Sequence, residues 1–288
     1  MRLERSKQWP RPGEPGLVWL GQAGFWIETG NARILIDPYL SDSLARKYAG
    51  QKNDHRRMMP PPLLPEELPR PDLVLVTHAH TDHMDPDTLA PLAAQYPDLP
   101  FVVPAAREDV ARARIGNAAR LIPVDAGASL DFVPGLRIDV LPAAHEALER
   151  DAQGRHVFLG YGIAGGGISL YHSGDCVPFD GLVPAIQTLT PDIMLLPVNG
   201  RDHQRLSAGV PGNFTLDEAI NLASLVGTRF LIPHHFGMFD FNASDPAEID
   251  RLAGLTRDPV ILRPVPGEAL RFRIDEGEGH GTGTNDCG

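Results

Sequence analysis

Apolar positions along this chain fall into short runs broken by glycine, proline and acidic residues, a rhythm of strands joined by tight turns. Leu17–Leu20, Gly24–Thr29 and Ala32–Ile36 read as strands, the last two joined around Gly30 and Asn31. His156–Gly162 and Ile168–Tyr171 form a second hairpin-like pair across Gly165, Gly166 and Gly167. No helix with Lys-Ser or Lys-Thr follows that glycine run, so it is read as a turn rather than a phosphate cradle. Further apolar runs lie at 72–76, 136–141, 193–196 and 229–233. Helices are announced by their caps: Asp85 before Pro86, and the box Thr215-Leu216-Asp217-Glu218 opening the run through Ala223. Strand pairs and helices in both halves predict a layered αββα sandwich with a site at one edge; the halves share no evident repeat.

The chemistry is concentrated where the run 72–76 ends. Thr77-His78-Ala79-His80-Thr81-Asp82-His83 packs three imidazoles and a carboxylate into six residues. Imidazole and carboxylate hold zinc, manganese and iron in open, water-bearing sites. In extended chain His78 and His80 point the same way, and Asp82 and His83 lie on the turn beyond. The ligands thus sit at the carboxyl end of a buried strand, where open α/β layers place their sites.

The pattern H-x-H-x-D-H after a strand resembles the metallo-β-lactamase superfamily, and the rest of the chain supplies the ligands that resemblance asks for. His145, Asp175 and His235 each follow an apolar run, in the order that superfamily uses. The resemblance implies two divalent metal ions, manganese or zinc: His78, His80 and His145 on one, Asp82, His83 and His235 on the other, with Asp175 bridging. The Pro-x-His-aromatic pattern of that superfamily selects His235 over its neighbour His234, and alternation along a strand turns His234 away. The implied fold is a four-layered αββα metallo-β-lactamase-like sandwich.

Longer matches, Gly21–Phe25, Ile36–Leu40, Pro197–Asp202 and Ile232–Phe239, are similar to the L-ascorbate-6-phosphate lactonase branch. That resemblance implies a lactonase-like hydrolase opening a lactone or ester of an anionic, phosphorylated sugar acid, with water activated between the metals. Asp82 would orient the attacking oxygen and carry a proton to the leaving group. A phospholipase D-like phosphodiesterase is the alternative the same ligands allow. A flavodiiron-type redox role is disfavoured because a carboxylate would be expected in place of His80. Cys176, where threonine commonly follows the Gly-Asp pair, and His234 depart from the branch pattern.

Composition narrows the setting. A chain of 288 residues with 22% charged and 42% hydrophobic positions buries a sizeable core, and ligands spread from His78 to His235 favour a single domain over 1–275. Residues 276–288 read as a flexible glycine-rich tail. No apolar stretch approaches the roughly 20 residues of a membrane helix, and no apolar core follows the charged start, so a cytoplasmic location is expected. The net charge of −11 disfavours nucleic acid. A small-molecule anionic substrate remains compatible, because two metals, two aspartates and a hydroxide leave the centre at roughly +1. Cys176 and Cys287 offer no disulfide framework. Cys176 is read either as a packing residue or as a thiol tuning the site.

Two segments lie outside the ligand pattern. Residues 41–71, basic and proline-rich, are read as a surface insertion, or else as a substrate lid or homo-oligomer contact. Asn199, Arg201, His203 and Arg205 form a polar cluster after the run 193–196, in which the planar fork of Arg201 suits a phosphate or carboxylate. Its other reading is a solvated loop with an Arg-Asp pair through Asp202.

Overall fold

A computed structural model describes residues 1–273, and in it the two halves of the chain build two different sheets. The first half supplies β1 (Arg2–Ser6), β2 (Gly16–Gly21), β3 (Gly24–Glu28), β4 (Arg33–Ile36), β5 (Leu73–Leu75), β6 (Pro100–Pro104) and β7 (Arg120–Val124). The second supplies β8 (Ser129–Leu130), β9 (Leu136–Pro142), β10 (Leu159–Gly165), β11 (Ile168–His172), β12 (Ile193–Pro197), β13 (Phe230–His234) and β14 (Val260–Ile261). The strand β15 (Ala269–Arg273) returns to the first sheet, whose order is β1-β15-β2-β3-β4-β5-β6-β7; the second runs β14-β13-β12-β11-β10-β9-β8. Each sheet is antiparallel on one side and parallel on the other, with parallel pairs from β4 to β7 and from β11 to β14.

The strand period of two decides which side chains meet. From the first sheet, Leu17, Trp19, Phe25, Ile27, Ile34 and Ile36 point inward and pack with Ile138, Val140, Tyr161, Leu170 and Leu195 of the second. Their alternates, Val18, Leu20, Trp26, Leu35 and Val74, face outward onto helices α2 and α3. Of the helices, α1 spans Ser43–Lys47, α2 Pro86–Gln95, α3 Glu108–Ile115, α4 Leu182–Gln187, α5 His203–Ser207, α6 Leu216–Val226 and α7 Pro246–Leu255. Through Leu182, Ile186, Ala219, Leu222 and Ile249, α4, α6 and α7 cover the second sheet, which completes the αββα order expected.

The caps stand as read: Asp85 accepts from the Asp87 N–H with Pro86 opening α2, and Thr215 and Glu218 form a reciprocal box on α6. The expected strand from His156 begins only at Leu159, because His156 is held aside by Asp125, which accepts from both its backbone N–H and Nδ1. The segment 41–71 is not featureless: it contains α1 and a 3₁₀ turn, Pro65–Glu67. The glycine-rich tail 276–288, with Cys287, lies outside the described residues, as does the expected boundary at 275. Among the described residues no helix is long and apolar enough to cross a membrane.

Candidate metal centre

The loop after β5 is fixed from three directions before any ligand is considered. The Leu159 N–H donates to the Thr77 carbonyl (3.0 Å), and the Tyr161 hydroxyl donates to the Val76 carbonyl (2.8 Å), both from β10 in the other sheet. Arg114, on α3, donates Nη1 to the carbonyls of Ala79 (2.6 Å) and Met84 (3.3 Å). Within the loop, the N–H groups of His83 and Met84 both donate to the His80 carbonyl, closing a tight turn. That turn brings His78, His80, Asp82 and His83 together.

Three more side chains come from the second sheet. His145 follows β9, Asp175 follows β11 and His235 follows β13. Asp175 sits between two sets of imidazoles and divides its oxygens between them. Oδ2 lies 3.7 Å from His145 Nε2 and 4.0 Å from His78 Nε2. Oδ1 lies 3.3 Å from His83 Nε2 and 3.4 Å from His235 Nε2. Asp82 Oδ2 completes the second set, 3.7 Å from His235 Nε2 and 3.9 Å from His83 Nε2. Donor atoms of His78, His80 and Asp175, and separately of Asp82, His83 and His235, converge within 4.8 Å. All seven ligands expected from the sequence are therefore assembled at one place.

The donor set fits a divalent cation. His78 Nε2 is buried without a hydrogen-bond partner, and His83 Nε2 and Asp175 Oδ1, 3.3 Å apart, form an ion pair without hydrogen-bond geometry, an arrangement that costs free energy unless something is bound there. Their opposite edges are engaged. Asp37 Oδ2 accepts from His83 Nδ1 (2.6 Å) and from the Thr77 hydroxyl (2.5 Å), and that hydroxyl lies 3.0 Å from His78 Nδ1. One buried carboxylate thus orients two imidazoles so that both present Nε2 to the centre. Asp37 also groups by distance with His78 and His83, but its oxygens are used by these bonds, which makes it an orienting group.

Burial and the neighbouring charges set how these groups hold protons when no ion is bound. Burial pushes the pKa of His78 well below the usual imidazole value, that of His145 down to about 4, and that of His80 down, so these rings are neutral at pH 7. Burial also opposes a charge on His83, but Asp175, Asp37 and Asp82 outweigh it and raise its pKa well above the ordinary value. Burial opposes ionisation of Asp175 and Asp82; imidazoles of His235 and His83 overcome it and hold Asp82 below, and Asp175 well below, the usual carboxylate range.

Sequence reasoning missed Asp37 and Gln22. Gln22 Nε2 donates to Asp82 Oδ2 (2.7 Å) and lies 3.1 Å from His235 Nε2. Of the six non-glycine residues with positive φ among those described, Gln22, Asp37 and His235 are in this centre and Glu146 adjoins it. Bulky side chains take that conformation only where the surroundings impose it, here at sharp exits from strands. His234 turns away as alternation requires, stacking on His172 with ring centroids 4.8 Å apart. Cys176 is buried, donates to the Val177 carbonyl and has its thiol pushed up to about 12 by burial, so it fits the reading of a neutral packing residue.

Arg201 is not brought to the centre. Its fork is taken by Glu218, with Nη1 and Nη2 each 2.6 Å from a carboxylate oxygen, and Nη1 also donates to the Asn213 carbonyl. The Arg-Asp pair of this cluster belongs to Arg205, which reaches Asp202 at 2.6 Å.

The centre opens into a cavity of about 530 Å³, onto which His80, Asp82, His145 and His235 face. The segment 41–71 supplies much of its wall through Leu44, Lys47, Tyr48, Lys52 and His55. His55 stacks on Tyr48 (4.3 Å) and meets Phe239 and Phe241 edge-on (5.0 and 4.7 Å), which ties the segment to the loop beyond His235.

A two-sheet sandwich with this ligand series places the chain in a known class, and comparison with known proteins agrees. The model of the β-lactamase superfamily domain matches residues 32–236, and the chain belongs to that superfamily. Within it, the chain belongs with the UPF0173 metal-dependent hydrolases. One from Thermococcus onnurineus is 30% identical over 266 residues, covering 88% of this chain and 98% of that protein. Another, from Aeropyrum pernix, is 27% identical over 271 residues, covering 89% and 97%. Among solved structures, an isothiocyanate hydrolase from Delia radicum gut bacteria shares the fold with a TM-score of 0.73 at 20% identity, covering 90% of this chain and all of that one.

Proposed function

We propose that this metal-dependent hydrolase cleaves an acyl bond, a lactone or ester of a small anionic acid, at a centre of two divalent ions. The observation that carries the reading is the split of Asp175 between His78 and His145 on one side and His83 and His235 on the other. His80 joins the first set and Asp82 the second. Bound there, divalent ions such as manganese or zinc supply Lewis acidity, lowering the pKa of water and polarising an acyl oxygen.

The chain's own residues do the rest. Asp82, held by Gln22 and facing the cavity, takes the proton of the attacking water and returns it to the leaving oxygen. Asp37 and Thr77 hold the His78 and His83 rings in place, so the reacting groups meet without reorganisation. A cavity of about 530 Å³ suits a small molecule, and the lysines in its wall favour an anion.

The test is a substrate panel on protein loaded with manganese or zinc, with a chelated control: 6-phosphogluconolactone, gluconolactone, 4-nitrophenyl butyrate and bis(4-nitrophenyl) phosphate. Faster metal-dependent turnover of the acyl substrates supports the reading. A phosphodiester cleaved faster than every acyl substrate overturns it in favour of phosphodiester hydrolysis.

A further inference from the structure

Arg114 has an environment that its role in the ligand loop does not exhaust. It lies in the last turn of α3, half-buried, and lines the cavity beside Ala79 and His80. Nη1 is spent on the carbonyls of Ala79 and Met84, and among the described residues no carboxylate forms an ion pair with the guanidinium. Arginines 33, 155, 201 and 263 are each forked onto an aspartate or glutamate, whereas Arg57, like Arg114, donates to main-chain carbonyls. Acidic groups outnumber basic ones by 37 to 26, yet the nearest carboxylate influence on this half-buried guanidinium is the charge of Asp85, which makes no direct contact with it. Two of the chain's three lysines, Lys47 and Lys52, line the same cavity, again with no ion-pair partner among the described residues. Other parts of the lining are apolar: Val210 and Pro211 on one side, and Tyr48, Phe239 and Phe241, which pack around His55.

Resting on the acyl-hydrolase reading above, we infer that Arg114 anchors a carboxylate or phosphate of the substrate, while the apolar wall at Val210 and Pro211 takes its apolar body. The substrate class is then an amphipathic monoanionic or dianionic ester or lactone, with its anionic group set beside the His78–His83 loop. Because Nη1 is fixed to that loop, the free edge of the guanidinium, Nη2 with Nε, is held in place relative to the ligands. That is the pre-organisation a charge-assisted contact needs to select one substrate over another. Lys47 and Lys52, exposed on the segment 41–71, add long-range attraction without fixing geometry.

The experiment uses a matched pair of substrates with one leaving group: mono-4-nitrophenyl glutarate, which carries a terminal carboxylate, and neutral 4-nitrophenyl butyrate. In metal-loaded protein, Arg114→Gln should raise KM for the glutarate ester about ten- to a hundredfold more than for the butyrate ester, any loss common to both esters reporting the contacts to the ligand loop. Metal content should be unaltered, and Arg114→Lys should recover part of the loss. Equal losses on both esters, or loss of metal, would make Arg114 a support of the loop alone and overturn the inference. If the wild-type protein hydrolyses neither ester, the hydrolase reading fails, and binding of free glutarate by calorimetry judges the anchor separately. Glutarate bound by wild type and lost in Arg114→Gln upholds the anchor; equal binding, or none by either protein, rejects it.

Discussion

Asp37 bears on the centre from a distance, since its one carboxylate accepts from the Thr77 N–H, the Thr77 hydroxyl and His83 Nδ1. In Asp37→Asn one acceptor position becomes an amide donor facing another donor, so His83 or Thr77 loses its partner. The expected outcome is a fall in metal affinity of about 10- to 100-fold with the fold retained, measured by chelator competition and circular dichroism. Unchanged affinity would mean that His83 is held by packing alone. Asp82→Asn separates a different role: with metal retained, turnover should drop at least about a hundredfold, through loss of the proton carrier. Near-normal turnover at full occupancy would assign proton transfer elsewhere. The ligands were legible because each follows an apolar run, and His78, His80, Asp82 and His83 crowd into one turn. Asp37 also follows an apolar strand, yet a single aspartate before proline looks like a turn residue. Its partner lies 46 positions away, and only the β4–β5 pairing reveals it.

At the scale of elements, caps and hairpins were readable because their signals are local, whereas partners of long side chains were not. The box on α6 is made within four residues, and it appears where Thr215 and Glu218 predict it. Arg201 looked free to bind substrate because Glu218 is 17 residues further on, and the fold brings the two together. The same glutamate accepts the Thr215 N–H, so Arg201 braces the start of α6. Arg201→Ala should therefore lower stability by about 0.5–1 kcal/mol, as a partly exposed pair does, and affect charged and neutral substrates alike. Thr215→Ala should cost about 1 kcal/mol by removing the cap. Thermal unfolding checks both, and substrate-selective loss of kcat/KM in Arg201→Ala would return it to the substrate. The segment 41–71 was the least legible element. What shapes it is contact with other parts of the chain: Arg57 donates to the Tyr39 and Ser41 carbonyls, and His55 seats among Tyr48, Phe239 and Phe241.

Across the whole molecule, the centre is a junction between the two sheets. His78, His80, Asp82 and His83 belong to the loop leaving the eight-stranded sheet, and His145, Asp175 and His235 to loops leaving the seven-stranded one. An ion bound by both groups of residues is present only in the folded chain, because the unfolded chain scatters its ligands from 78 to 235. Mass action then makes metal a stabiliser: at a free concentration a hundredfold above Kd the gain is about 2.7 kcal/mol. For a chain of this length that corresponds to roughly 5–10 °C in Tm. Removing metal with a chelator should lower Tm by that amount, and adding manganese or zinc back should restore it. Buried atoms that make no hydrogen bond, His78 Nε2 above all, add to the cost of the metal-free state. Asp175→Asn tests the junction itself, because the residue touches both sets of imidazoles. In that variant most of the metal-dependent rise in Tm should disappear, while unfolding of the metal-free protein shifts far less. A chelator that strips the ions, as verified by elemental analysis, without moving Tm in the wild type would show that packing between the sheets alone holds the sandwich closed.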